Sequence, residues 1–147
     1  TLADSTLIVG DGSGAPVAES GATLRTSIGV GTTDTVQFKT VLATTDTDTS
    51  NTGSVTLDFA ANQNFILTFT GNVTLANPST EAVGQAGVIV IIQDGTGSRT
   101  LGLGTDYETP GGAALAISTA ASAVDIIPYF VKAAGSIQLG APQVAFS

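Results

Sequence analysis

Asp106, Tyr107 and Glu108 occupy consecutive positions in a stretch bounded by Gly104 and Gly112, and Asp125 follows on a later segment. Two carboxylates held roughly 5–9.5 Å apart across a glycosidic bond can serve as acid and base, or as acid and nucleophile. Asp106, Glu108 and Asp125 are the set from which such a glycan-cleaving pair would be drawn. The blander reading is that carboxylates in loops are solvated. Tyr107 could stack on a sugar face while Asp106 and Glu108 accept hydrogen bonds from sugar hydroxyls. More often a tyrosine in such a place packs on its own sheet. Tyr107, Asp106 and Glu108 are therefore the candidate glycan contacts.

Other groups of residues suggest less. Asp46-Thr47-Asp48-Thr49-Ser50 opens like a calcium loop, but Asn51 stands where that loop needs glycine and Leu57 where it needs a bidentate glutamate. Asp94-Gly95-Thr96-Gly97 looks like an aspartic-protease signature with its residues in the wrong order, and no second copy exists to form a dyad. The glycine runs Gly10–Gly14 and Gly29–Gly31 lack the lysine and spacing of a phosphate loop. Asn72-Val73-Thr74 is a glycosylation sequon, relevant only in a eukaryotic secretory pathway.

The residue inventory removes whole classes of chemistry. The 147 residues include no Cys and no His, which excludes disulfides, Cys nucleophiles, His-based acid–base catalysis and the usual zinc ligand sets. Four Lys and Arg stand against 12 Asp and Glu, so the electrostatic attraction behind most nucleic-acid affinity is missing. Charged residues make up only 11% and hydrophobic ones 42%, a globular balance rather than a disordered one. The apolar run Val88–Ile92 falls far short of the roughly 20 residues of a membrane-spanning helix. No basic stretch precedes an apolar core in the manner of a signal peptide. Thr1 is small enough to follow a removed initiator, and a fragment of a longer protein would look the same. No cofactor, metal, nucleic acid or membrane insertion is expected, and no enzymatic activity.

The elements that must position these residues read as β. Val, Thr, Ile and Gly are abundant while the Glu, Lys and Arg of helix surfaces are scarce. Residues 1–37 contain no aromatic, so residues 1–42 read as an extended arm. Within it, Thr6–Val9 suggests a short strand, Gly10–Gly14 a turn, and Ser20–Gly29 one short helix with Leu24 and Ile28 on one face. Residues 43–53 are polar and aperiodic and read as a linker. Residues 54–147 form the body. Val55, Leu57 and Phe59 alternate with polar residues, as do Phe65, Leu67 and Phe69, with residues 61–64 connecting them. Asp94-Gly95 suggests a hairpin. Pro128 within Ile126–Val131 calls for an edge position or a bulge. Roughly eight to ten strands fit a β-sandwich or jelly-roll-like body.

Val88–Ile92 is apolar on both faces, as is much of Ile126–Val131. A strand buried on both faces needs cover on each. A short chain with almost no helix finds that cover most economically in another copy of itself. Val88, Val90, Ile92, Ile126 and Phe130 are the candidate subunit-interface residues.

Two stretches resemble proteins of tailed bacteriophages. Leu7–Gly12 and Ala18–Asp34, with Arg25-Thr26-Ser27-Ile28-Gly29 before Gly31-Thr32-Thr33-Asp34 and then Val36-Gln37-Phe38, resemble tail-fibre repeats. Gly71–Leu75, Gln93–Thr100, Pro110-Gly111-Gly112 and Ala123–Ile127 resemble a terminal β module of phage virion proteins. That module usually carries Trp-Pro near the Pro-Gly-Gly loop, and this chain has no Trp. The resemblance implies a homotrimeric structural protein on the virion surface, a tail fibre or spike segment. Its arm would contact other virion proteins and its body would attach to bacterial surface glycan. A capsid decoration protein is the alternative, and a glycan-degrading enzyme the more distant one.

Overall fold

A computed structural model describes residues 39–146 throughout, with residues 7–10, 16–20 and the single positions 24, 25, 28, 30, 33, 35 and 37 before them. The chain divides into two compact units, Thr1–Val41 and Leu42–Ser147. In the first, β1 (Leu7–Gly10) pairs antiparallel with β2 (Pro16–Glu19). Leu24 and Arg25 are helical, and the Ile28 N–H donates to the Leu24 carbonyl at 3.0 Å. The Gly10–Gly14 turn falls largely, and the remainder of the expected helix partly, outside the described residues.

The second unit is all-β. Its strands are β3 (Thr45–Thr56), β4 (Asn64–Ala76), β5 (Ala86–Gln93), β6 (Leu101–Leu103), β7 (Tyr107–Glu108), β8 (Val124–Ala133), β9 (Ser136–Leu139) and β10 (Gln143–Phe146). They form one eight-stranded sheet in the order β3-β4-β5-β8-β9-β7, with β10 on β8 and β6 on β4. This corrects the sandwich or jelly-roll expectation: a single sheet curls into a half-barrel and covers itself.

The curl follows from chain length. β3 and β4 run parallel, with Thr45 beside Asn64 and Thr56 beside Ala76. Parallel neighbours normally need a connection of a dozen or more residues, yet only residues 57–63 link these two. A straight strand of this length spans about 40 Å, and the link reaches about 28 Å at full extension. Both strands must therefore bend. Register shifts between Asp48, Asn51 and Gly53 mark the corner. Buried Asn51 holds it, its Nδ2 donating to the carbonyls of Asp48 at 3.1 Å and Thr68 at 3.2 Å. On β4 the corner holds Gly71, where a Cβ would overlap the Thr52 side chain. Before the corner β4 pairs with β5 through Phe65–Phe69; after it, with β6 through Val73–Leu75.

Three sequence expectations change as a result. Residues 43–53 are not a linker from end to end, since β3 begins at Thr45 and runs through the remainder of that stretch. Asp94-Gly95 does not turn a hairpin, because β5 and β6 pair with different halves of β4 and not with each other. Residues 94–100 instead carry the chain between the two halves of the folded sheet. Pro128 lies in the sheet's interior, where β8's outer neighbour changes from β10 to β9. Its ring nitrogen has no proton to place there, and its carbonyl accepts the Gly140 N–H at 2.8 Å.

Alternation sets the core. Phe65, Leu67, Phe69, Val73 and Leu75 of β4, Ile89 and Ile91 of β5, and Ile127, Tyr129 and Val131 of β8 point inward and are almost wholly buried. Leu57 and Phe59 of the short link fill the concave side. Phe59 lies 5.0 Å from Phe65 and meets Tyr129 edge-on at 5.2 Å, ring centroid to centroid. The Tyr129 hydroxyl donates to the Gln63 carbonyl at 2.5 Å, and the Gln85 amide donates to the Phe59 and Asn62 carbonyls. The link that forces the corner is thus fastened at both chain and side-chain level.

Candidate functional site

β7 places Tyr107 and Glu108 on opposite sides of the sheet. Tyr107 goes inward and is 6% exposed, so its ring is core and not a free stacking platform. This overturns its reading as an exposed loop aromatic: two residues of strand, paired with Ile137 and Gln138 of β9, draw it under the sheet. Its hydroxyl has no hydrogen-bond partner among the described residues. Burial, reinforced by the charges of Glu81 and Asp106 and by Tyr129, pushes the phenol well above its ordinary pKa.

Glu108 goes outward. One carboxylate oxygen accepts the Ser136 hydroxyl at 2.7 Å and the other the Lys132 ammonium at 3.1 Å. These contacts, Ser136 foremost, hold its pKa below the usual carboxylate value. Asp106 is fixed through its backbone: its N–H donates to Asn77 Oδ1 at 3.1 Å and its carbonyl accepts the Ile137 N–H at 2.7 Å.

Asp125 does not join them. It is 2% exposed on β8, with its oxygens accepting the backbone N–H groups of Ser118 at 2.5 Å and Ala145 at 2.9 Å. Lys132, the partner of Glu108, lies near the other end of that strand, roughly 20 Å away. A glycosidase pair needs less than about 9.5 Å, so Asp125 and Glu108 cannot be one. Asp48 accepts its neighbour Ser50's N–H at 3.0 Å. Among the described residues no three metal-ligating side chains gather. Asp94 accepts the N–H groups of Thr96 and Gly97 and pairs with Arg99 at 2.7 Å, a turn-stabilising role. Arg99's hydrogen bonds, then these backbone donors, lower its pKa.

Two grooves flank the Glu108–Pro110 ridge. One, of about 600 Å³, runs beside β6 and the Gly112–Leu115 segment and reaches Tyr107 from one side. The other, of about 310 Å³, is lined by Glu108, Thr109, Pro110, Gln138 and Leu139. Neither was legible in the sequence, because each depends on which strands sit beside β7.

The convex face of the sheet is the second feature. Ile66, Val90 and Ile126 are direct cross-strand neighbours, Ile92 lies beside Val124, Val88 beside Pro128, and Ala86 beside Phe130. Val88, Val90, Ile92 and Ile126 are half-buried and Phe130 is 46% exposed. The five candidate interface residues therefore share one face, which carries no charged side chain across β5 and β8 up to Phe130. Phe146, beside Val124, and Val144 extend the apolar surface at the rim.

Residues 49–136 match the family described as "Putative phage tail fibre C-terminal domain". No curated protein and no solved structure matches the chain.

Proposed function

We propose that this chain, which belongs to the phage tail-fibre C-terminal domain family, forms a homotrimeric fibre or spike segment with its convex sheet face turned toward the three-fold axis. It is a structural protein of the virion surface. The observation that carries the trimer is the uncharged face of Val88, Val90, Ile92, Ile126 and Phe130. Completing the burial of each side chain contributes roughly 1 kcal/mol, a total of the size needed to begin offsetting association entropy. Residues 1–42 serve as the arm toward other virion proteins.

Host-surface glycan meets the smaller groove, where the Glu108 carboxylate and the Gln138 amide stand at an open ridge. Tyr107 supports that ridge from beneath, and Asp106 anchors the loop before it. Three copies around one axis turn weak sugar contacts into useful avidity. Sedimentation equilibrium of the full chain tests the assembly: a trimer is expected, and a folded monomer at micromolar concentration overturns it. Adsorption of particles carrying Gln138→Ala tests the sugar contact, with reduced binding expected and wild-type binding against it.

A further inference from the structure

The larger groove has unpaired main chain along two lengths of its lining. The Val73 N–H donates to the Thr100 carbonyl at 3.0 Å, and the Gly104 N–H donates to the Leu75 carbonyl at 2.7 Å. In a parallel ladder alternate residues face the partner strand, so Thr100, Gly102 and Gly104 face β4. Leu101 and Leu103 then turn their N–H and C=O groups the other way. Among the described residues β6 has no second neighbour. No hydrogen bond among the described residues uses those four groups. The same holds for the main chain of Ala114, Leu115, Ala116 and Ile117. Leu101–Gly104 and Gly112–Leu115 line the same groove.

We propose that this groove receives, by strand addition to the free edge of β6, an extended basic segment of another virion protein. The outward groups of Leu101 and Leu103 repeat at about 6.6 Å, the spacing of alternate residues in a strand. Gly112, Ala113 and Ala114 keep side chains short where a backbone must approach, while the missing Cβ atoms of Gly102 and Gly104 face Thr74 and Asn77. Edges that must stay single are usually guarded by charge or proline, and Leu101-Gly102-Leu103 has neither.

Charge selects the occupant. From residue 42 onward the only cations are Arg99 and Lys132, and both are ion-paired. Glu108 lines the groove, and from residue 42 onward no unpaired cation remains to balance an acidic guest. The chain itself has a net charge of -8, so its own segments are poor donors. A lysine- or arginine-bearing strand of a different protein is the complement.

Hydrogen exchange on the full-length wild-type protein, free and in assembled particles, tests this. The amides of Leu101, Leu103 and Ala114–Ile117 should exchange freely in the isolated protein and about 100-fold more slowly in particles. Equal rates in both overturn the proposal. Protection already present in the isolated protein assigns the groove to this chain's own segments. Protection that appears only when particles meet host polysaccharide assigns it to glycan. Either result overturns the partner strand.

Ala114→Pro offers a second test. Ala114 has no bonded N–H, and Ala113 before it sits at φ -74°, ψ 146°, a conformation that proline tolerates in its predecessor. The variant should keep its melting temperature and enter particles about tenfold less well. Wild-type incorporation overturns the proposal. If the variant does not fold, the exchange comparison on wild-type protein decides.

Discussion

Gly71 lies against Thr52 at the corner where β3 and β4 fold over together, so close that a Cβ on Gly71 would collide with the Thr52 hydroxyl and Cβ. The bend that closes the sheet on itself depends on that missing side chain.

Gly71→Ala should therefore destabilise the body by about 1–3 kcal/mol, as overpacking does elsewhere. Thr52→Gly in the same chain should recover part of that loss. Urea unfolding of the single and double variants measures both. A Gly71→Ala protein as stable as wild type would mean the corner can open without cost.

Tyr107 and its hydroxyl make a separable pair of predictions. The ring is buried in the core but the hydroxyl bonds to nothing among the described residues. Tyr107→Phe should change stability by no more than about 0.5 kcal/mol, whereas Tyr107→Ala should cost about 3–5 kcal/mol. Thermal melts distinguish the two. If instead Tyr107→Phe impairs adsorption at unchanged stability, the hydroxyl meets a ligand.

Tyr129 differs because its hydroxyl is used. Tyr129→Phe removes the bond to the Gln63 carbonyl that fastens the link between β3 and β4. A loss of about 1 kcal/mol is expected, read from the shift of the urea midpoint. No shift would show that Phe59 and Gln85 hold the link without it.

Acid should weaken the body through Glu108 and Asp94. Both carboxylates titrate below their ordinary values of 4.5 and 3.8, Glu108 through Ser136 and Lys132 and Asp94 through Arg99 and its turn N–H groups. A depressed folded-state pKa means stability that is present above the unfolded-state value and lost as pH falls through the folded one. Melting temperature should drop as pH falls from about 5 toward 3. Glu108→Gln should flatten that slope, and an unchanged slope would remove Glu108 from the account.

Val90→Asp tests the convex face. The position is half-buried between Ile66 and Ile126 on the outer side, away from the core. The variant should fold and shift toward monomer in sedimentation, with at least a tenfold weaker association from a charge buried without a partner. A trimer of undiminished stability would move the interface elsewhere.

Part of this architecture is written in alternation alone. Phe65-Ile66-Leu67-Thr68-Phe69 and Val88–Ile92 already declare two faces, because successive residues of any strand point oppositely whatever it pairs with. The absence of His and Cys, and the scarcity of cations, likewise exclude chemistry without reference to a fold. The ordered segments of the body lead to the family, and the matched residues 49–136 contain all four of those quoted.

Pairing is a different matter, because partners meet across long stretches of chain and no local residue pattern names them. Residues 61–64 read as the connection between two strands, but nothing local says that those strands run parallel. Asp94-Gly95 looks like a turn between neighbours and instead joins strands that share only β4. The Asp- and Thr-rich stretch at Thr45–Asn51 reads as linker because little of it is buried, yet it is the outer strand of the sheet, held by its backbone ladder to β4. Tyr107 changed from surface to core when β9 came beside it. Local sequence assigns each side chain a side; the curl of the sheet, imposed by a link too short for straight strands, decides whether that side faces core, solvent or another chain.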